Sequence, residues 1–310
     1  MATTRYRWLL ACALTLAVGL ANAQTDSAAA RKEYDSLRKY EGTLKKINET
    51  GVVRVGHRQN SVPFAFVDPN GKPVGYALDL CAFVVEAIER ELGKELKIEL
   101  VPVTPENRFD MVTSGKVDIE CGSTTNNVDR RKFVAFSPTM YVTGTKLLVP
   151  HASKVRFLDD LKGKTVVVTR GTVQESAMKA LNERRQLGLV LVTGADHRES
   201  FQLLAAGKAD AWANDDILLY GLLAETDSRD KYRVVGDFLT FDPYALMFRK
   251  DDPDFAEVVE QAFQQLAESR TILYVYDRWF LQKLPSGINL NVPISPHLEE
   301  LFRTAGLPTD

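Results

Sequence analysis

Cysteine is scarce in this 310-residue chain, with three residues, and histidine nearly as scarce with four. The histidines, His57, His151, His197 and His297, are scattered, and no His/Cys set has zinc-like spacing. Metal chemistry therefore has no sequence basis. No Gly-x-Ser-x-Gly elbow and no phosphate loop is present, so nucleophile-elbow hydrolysis and nucleotide hydrolysis lack their usual devices. A basic run is also missing. Lys plus Arg number 39 against 41 Asp plus Glu, a net charge of −2, which gives nucleic-acid binding no support. No low-complexity block or internal repeat stands out. Past residue 23 no apolar run approaches the ~20 residues a membrane span needs.

What is there is globular. Hydrophobic residues make up 45% and charged residues 26%, enough for a sizeable core, and the length suits about two domains. The first 23 residues stand apart. Arg5 and Arg7 precede an apolar run from Trp8 to Leu20, and Ala21-Asn22-Ala23 follows. This is the pattern of a secretory signal peptide cut after Ala23, with an apolar run too short to serve as an anchor. Cutting there removes two arginines and no acid, so Lys plus Arg falls from 39 to 37 against 41 acids and the net charge becomes −4. Cys12 leaves with the peptide. Cys81 and Cys121 remain, and an oxidising compartment permits a disulfide between them. Cys81 lies on an apolar helix face and Cys121 at a strand end, which suits two buried thiols equally well; spacing does not decide.

Residues 24–43 read as a small, polar, flexible leader, with a loose helix beginning within it over 36–46. Regular alternation follows. Val52–Gly56 is a strand with His57-Arg58 at its end, Pro63–Phe66 is extended, and Asp68-Pro69-Asn70-Gly71 is a turn. Leu78, Cys81, Val85, Ile88 and Leu92 recur at spacings of three and four, one buried face of a helix from about Asp79. Ile98–Val103 is a strand, and Asn107-Arg108 opens a short helix ending at Gly115. The same grammar restarts later. Strands over 165–168, 189–192 and 209–214 alternate with helices over 174–185 and 199–206. Alternation of this kind implies parallel sheets covered by helices. Between the two units lies a β-rich segment, Met140–Val149, and a second one, Tyr244–Phe248, follows the second unit. Two extended crossings read as a two-strand hinge between lobes. Helices over 254–268 and 272–281, a proline-punctuated tail and a short helix over 298–302 complete the chain.

One stretch concentrates polarity. Glu120-Cys121-Gly122-Ser123-Thr124-Thr125-Asn126-Asn127 follows the short apolar strand Val117–Ile119, with Arg130 just after. Hydroxyls, amides and an arginine at a strand's carboxyl end supply the oriented donors an anion needs, and ligands of open α/β sheets bind outside those ends. An ordinary Ser/Thr/Asn turn has the same local composition.

With Gly56-His57-Arg58, Ser61–Phe64, Asn107-Arg108, Asp196-His197, Trp279-Phe280 and Asn289-Leu290-Asn291, this stretch resembles the glutamate/aspartate receptors among the solute-binding proteins of amino-acid ABC importers. The resemblance runs from about Leu44 to the C-terminus, in order. It implies a two-lobe type II periplasmic binding protein fold with two hinge-strand crossings: 44–143 and 244–310 in the first lobe, 144–243 in the second. It also implies a periplasmic and monomeric protein, without a cofactor, that captures an acidic amino acid and delivers it to a membrane permease.

Such a ligand carries two carboxylates and one ammonium, so its site needs several donors and one acid. By resemblance, Arg58, Arg108 and Arg130 contact the carboxylates, where a planar guanidinium binds two oxygens at once, with Ser123 and Thr125 beside them. Thr172 and Val173 sit where a loop becomes a helix, a favourable place for an anion. His197 is expected to reach in from the second lobe, and Asp215 to meet the ammonium, although each also suits the cap of the helix that follows it. Trp279 and Phe280 read as core. Three positions depart from the relatives' pattern. Pro105 and Val173 lack hydroxyls found there, and Arg170 adds a positive charge; together they leave glutamate, aspartate and related dicarboxylates open. The same scaffold serves extracytoplasmic enzymes resembling cyclohexadienyl dehydratases, for which His197 and Glu120 are the only acid–base candidates.

Overall fold

The computed structural model describes residues 40–309. The expected signal peptide and most of the expected leader lie outside the described residues; Gly42 onward forms one unit. Its first helix, α1 (Gly42–Thr50), buries Thr43, Leu44 and Ile47, so in its described part the helix expected over 36–46 runs past Lys46. β1 (Val52–His57) turns Val53 and Val55 into the core. A small antiparallel sheet follows: β2 (Asn60–Ser61), β3 (Ala65–Val67) and β4 (Pro73–Val74), with the Asp68–Gly71 turn closed by a 2.9 Å bond from the Gly71 N–H to the Asp68 carbonyl. α2 (Tyr76–Leu92) begins before the expected Asp79, because Tyr76 and Ala77 are already buried; Leu78 and Leu92, counted on its buried face, are only half-buried.

β5 (Lys97–Pro102) ends at Pro102, short of the expected Val103, and sits at a sheet edge with Ile98 and Leu100 exposed. α3 (Arg108–Thr113), β6 (Ile119–Glu120), β7 (Val134–Phe136), β8 (Tyr141–Thr143) and β9 (Thr145–Pro150) follow. The second unit is β10 (Thr165–Thr169), α4 (Val173–Arg185), β11 (Val190–Gly194), α5 (His197–Ala205), β12 (Ala211–Asp215), α6 (Asp216–Glu225) and β13 (Tyr232–Val235). The chain then returns through β14 (Asp242–Tyr244) to β15 (Met247–Arg249), α7 (Pro253–Glu268), α8 (Thr271–Phe280) and α9 (Pro296–Thr304). Of α6 the sequence offered only its N-cap candidate, Asp215. The helix is apolar on every side, with seven residues buried, so it lacks the polar stripe that marks a surface helix.

Two five-stranded sheets result, ordered β5-β1-β6-β15-β7 and β11-β10-β12-β9-β13. β1 is parallel to β5 and β6, and β10 to β11 and β12, while β9 pairs antiparallel with β12 and β13, and the returning β15 with β6 and β7. The unbroken apolar run of β10 has its cause here. Val166 and Val168 pack with Met178 on one face, and Val167 packs with Trp212 and Leu219 on the other, as in a strand covered on both sides. β8 and β14 form a separate antiparallel pair between the sheets, joining Tyr141 to Tyr244 across the ladder. Both rings sit against Phe64, at 5.0 Å between centroids, and Tyr141 stacks on Phe280 at 4.9 Å. Each such pair contributes about 0.5–1.5 kcal/mol beyond its buried area, which ties the crossing strands to the first lobe. Phe280 and Trp279 are core, as the sequence implied.

Candidate functional site

The functional side chains stand where parallel strands end. β1 delivers His57 and Arg58, β6 delivers Glu120 and the polar stretch, β10 leads to Thr172, β11 to Asp196-His197, and β12 ends at Asp215. The two sheets turn these ends toward one cleft.

The first-lobe wall is cationic. Arg58 and Arg108 are 1% and 2% exposed, a burial that guanidinium groups rarely tolerate without partners. Arg108 donates from Nη1 to Thr124 Oγ1 at 2.8 Å, and Thr124 donates to Glu120 Oε2 at 2.6 Å. Arg130 donates from Nη1 to the Thr125 carbonyl at 2.9 Å. The Phe109 ring lies under both guanidinium groups, 5.5 Å from Arg108 and 5.1 Å from Arg130, a cation–π shelf that holds two like charges in place. These bonds leave buried polar atoms unpaired within the protein: Arg58 Nη2, Arg108 Nε, Ser123 Oγ and Glu120 Oε1. Burial, and after it the Arg108 charge, lowers both Arg58 and Arg130 to about 9. Burial lowers Arg108 too, opposed by Glu120. All three remain charged at neutral pH, so the wall is a concentration of positive charge that an anion would relieve.

The second-lobe wall is closer to neutral. Thr172 caps α4, accepting from the Glu175 N–H at 3.3 Å and donating to the Thr169 carbonyl at 2.6 Å. Val173 is the first residue of that helix, with its side chain half-buried. His197 opens α5, but Asp196 is the residue that caps it. The His197 Nδ1 sits 3.1 Å from Thr169 Oγ1 and 3.5 Å from Asn214 Nδ2. Burial first, then Arg58 and Arg108 across the cleft, hold the imidazole well below its usual range, so it is neutral. Asp215 occupies the N-cap position of α6 without capping it. Its carboxyl instead accepts from Gln174 Nε2 at 2.7 Å and from the Tyr244 hydroxyl.

The lobes touch. A Cβ on Gly171, whose φ is +74°, would come within 2.9 Å of the Pro105 carbonyl oxygen, and one on Gly221 within 2.2 Å of the Val62 carbonyl oxygen. Glycine is therefore required at both closures. Arg170 does not point inward. Its guanidinium reaches Glu106 at 3.8 Å on the rim, with both side chains at least half exposed, and so it adds no charge to the interior. A cavity of about 520 Å3 opens at this rim between Phe109, Arg130 and Gly171–Val173. Cys81 and Cys121 are joined in a disulfide, with Cα atoms 6.1 Å apart, which ties α2 to the start of the polar stretch.

Sequence reasoning missed several residues of the cleft. Thr169, Gln174 and Asn214 are uncharged and carried no signal of their own, and Thr124 stood out only as part of the polar stretch. Tyr244 opens the crossing read only as a hinge, Tyr244–Phe248, and Asp242, on the same strand β14, lies just ahead of that expected stretch. Thr125 forms an isolated bridge with Tyr244, and its side chain bonds Asp242. Among the described residues, no group of three or more His, Cys, Asp or Glu is placed to hold a metal ion.

Residues 53–282 match the family described as bacterial extracellular solute-binding proteins, family 3. The chain belongs to that family. A relative of this solute-binding protein, the L-glutamate/L-aspartate-binding protein of Pseudomonas aeruginosa, is 44% identical over 87% of this chain and 89% of its own. The glutamate/aspartate import solute-binding protein of Escherichia coli is 38% identical over 94% of each. Among solved structures, an ancestral amino acid-binding protein described as a precursor of cyclohexadienyl dehydratase superposes with a TM-score of 0.66, at 30% identity over 77% of this chain and 99% of its own. An ancestral arginine-binding protein bound to arginine gives 0.67, at 27% identity over 74% and 98%. The fold is thus the two-lobe type II periplasmic binding protein fold that the sequence implied.

Proposed function

We propose that this solute-binding protein captures glutamate or aspartate between its lobes outside the cytoplasm and delivers it to an ABC permease. The observation that carries this reading is the set of three buried guanidinium groups, with Arg58 Nη2 and Arg108 Nε unpaired, facing a wall that holds a neutral His197 and the Asp215 carboxyl. Surplus positive charge on one side and an acid on the other match two carboxylates and one ammonium. In this reading Arg58, Arg108 and Arg130 clamp the carboxylates, Ser123 and Thr125 bond beside them, and Thr172 and Val173 offer the start of α4. His197 donates from Nε2, since Nδ1 is engaged, and Asp215 takes the ammonium. The names of the 44% and 38% identical relatives support the same ligand. Because both lobes hold part of the site, the ligand favours the closed form, which the permease then recognises.

The test is calorimetric titration of ligand-stripped protein with a panel of amino acids and dicarboxylates. Tight binding confined to L-glutamate and L-aspartate is expected; preference for a cationic or neutral amino acid would overturn the reading. Long incubation with each ligand followed by product analysis addresses catalysis, and turnover would replace transport with chemistry. In this reading the mature protein begins at Gln24 in the periplasm and is a monomer, which N-terminal sequencing and light scattering of exported protein check.

A further inference from the structure

Asp242 and Asp215 meet in the cleft although 27 positions separate them, one opening β14 and the other closing β12. They are 3% and 2% exposed, and Tyr244, two residues after Asp242 on β14, donates to Asp215, so both carboxyl groups are buried in one polar cluster and each acts on the other's charge. An ionised carboxylate only accepts, so two can bond to one another only if one carries a proton. Two buried negative charges in one cluster are strongly disfavoured in any case. The surroundings pull in both directions: the donors and cations favour the ionised forms, while burial and the neighbouring acids favour a retained proton. Gln174 and Tyr244 already donate to the two oxygens of Asp215, and Thr240 donates to Asp242 Oδ2. Thr125 bonds Asp242, Asp216 adds negative charge from α6, and Lys146 acts on Asp216. Arg130 is the cation that acts on Asp242, and Arg108 acts on Asp215 from farther round the cleft. Burial, and for Asp215 the Asp242 carboxyl after it, holds both acids above their usual range.

We propose that Asp242 and Asp215 together form the ammonium subsite, sharing one proton while the cleft is unliganded, and that the α-ammonium of the ligand takes the place of that proton. This rests on the acidic amino-acid reading and deepens it. The balance is simple. The pair enters with one O–H and one negative charge, the ammonium brings its own charge and three donors, the O–H proton leaves to solvent, and both carboxylates remain ionised against the ammonium. Asp242 becomes a specificity residue, since a dicarboxylate without an ammonium leaves the proton where it was. The free state holds more protons than the bound state, so raising the pH favours binding, by up to about tenfold per unit below the pair's apparent pKa.

The experiment is titration of ligand-stripped protein with L-glutamate and with glutarate near pH 6, in buffers of different ionisation enthalpy. The slope of heat against buffer enthalpy counts the protons. About one proton released per glutamate, and close to none for glutarate, is expected. Asp242→Asn should abolish the release and flatten the rise of glutamate affinity from pH 5 to 7, whereas Asp242→Glu should retain both, which keeps the test open if the asparagine variant folds poorly. Glutamate binding without proton release, or the same release from Asp242→Asn, overturns the proposal. Absence of binding to any acidic amino acid would instead overturn the reading of the function beneath it.

Discussion

The two walls of the cleft solve different problems with different residues. The first-lobe wall spends burial on charge. Arg58 and Arg108 are almost fully covered and partly unpaired, and burial lowers the pKa of both, with the Arg108 charge adding to it at Arg58. The second-lobe wall is mostly satisfied: Thr172, Gln174 and His197 each have a partner inside their own lobe, and the imidazole there is uncharged. The difference teaches where binding energy should reside. In the proposed reading, ligand carboxylates replace missing partners on the first wall, but on the second they mainly add contacts that reward closing.

The sharpest way to break that comparison is to remove a guanidinium. Arg108→Ala or Arg130→Ala should abolish measurable glutamate binding, a loss of about 2–5 kcal/mol or more for an unpaired buried charge, while circular dichroism shows the fold retained. Unchanged affinity in both variants would move the ligand elsewhere. On the opposite wall, His197→Ala should cost about 1.5–3 kcal/mol for a bond to a charged group. His197→Gln should recover most of that, because a neutral donor is all the imidazole supplies; equal losses from both variants in titration would mean that His197 binds as a cation.

Closure is tested next. Gly221→Ala places a methyl against the Val62 carbonyl, so ligand affinity should fall by about 1–3 kcal/mol of overpacking. The midpoint of ligand-free unfolding should hold or rise, since alanine is the better helix former. A parallel fall in both would make Gly221 a packing residue of its own lobe. The smallest effect belongs to the rim. Glu106→Gln breaks the exposed pair with Arg170 and should change affinity by no more than about 1 kcal/mol, less at high salt. A larger change would make this pair a latch rather than a surface contact.

Much of the first wall was legible in the sequence. Arg58, Arg108 and Arg130 each follow a recognisable strand or open a short helix, and charge at such places is conspicuous. The reading weakened where a residue's meaning depended on its neighbours in space. Arg170 looked like an added cleft charge, but Gly171 turns the chain so that the guanidinium reaches outward to Glu106. Asp215 suited an N-cap by position, yet Gln174 and Tyr244 draw its carboxyl away. The helix α6 showed only through that N-cap candidate, because its nearly all-apolar sequence has no amphipathic period. Asp242 escaped because the strand that carries it begins two residues ahead of the expected crossing, in a stretch to which the sequence gave no role.

The amino-acid order alone determined the alternation of strands and helices, the two crossings, and the stock of guanidinium, hydroxyl and carboxyl groups at strand ends, since periodicity and residue chemistry are local properties. Tertiary structure alone decided which of those groups meet. The order of strands in each sheet sets the spacing within a wall, and the approach of the lobes at Gly171 and Gly221 sets the spacing across it. Cys81 is bonded to Cys121, and Asp215 has Asp242 for a neighbour, through contacts between distant parts of the chain that no local pattern encodes.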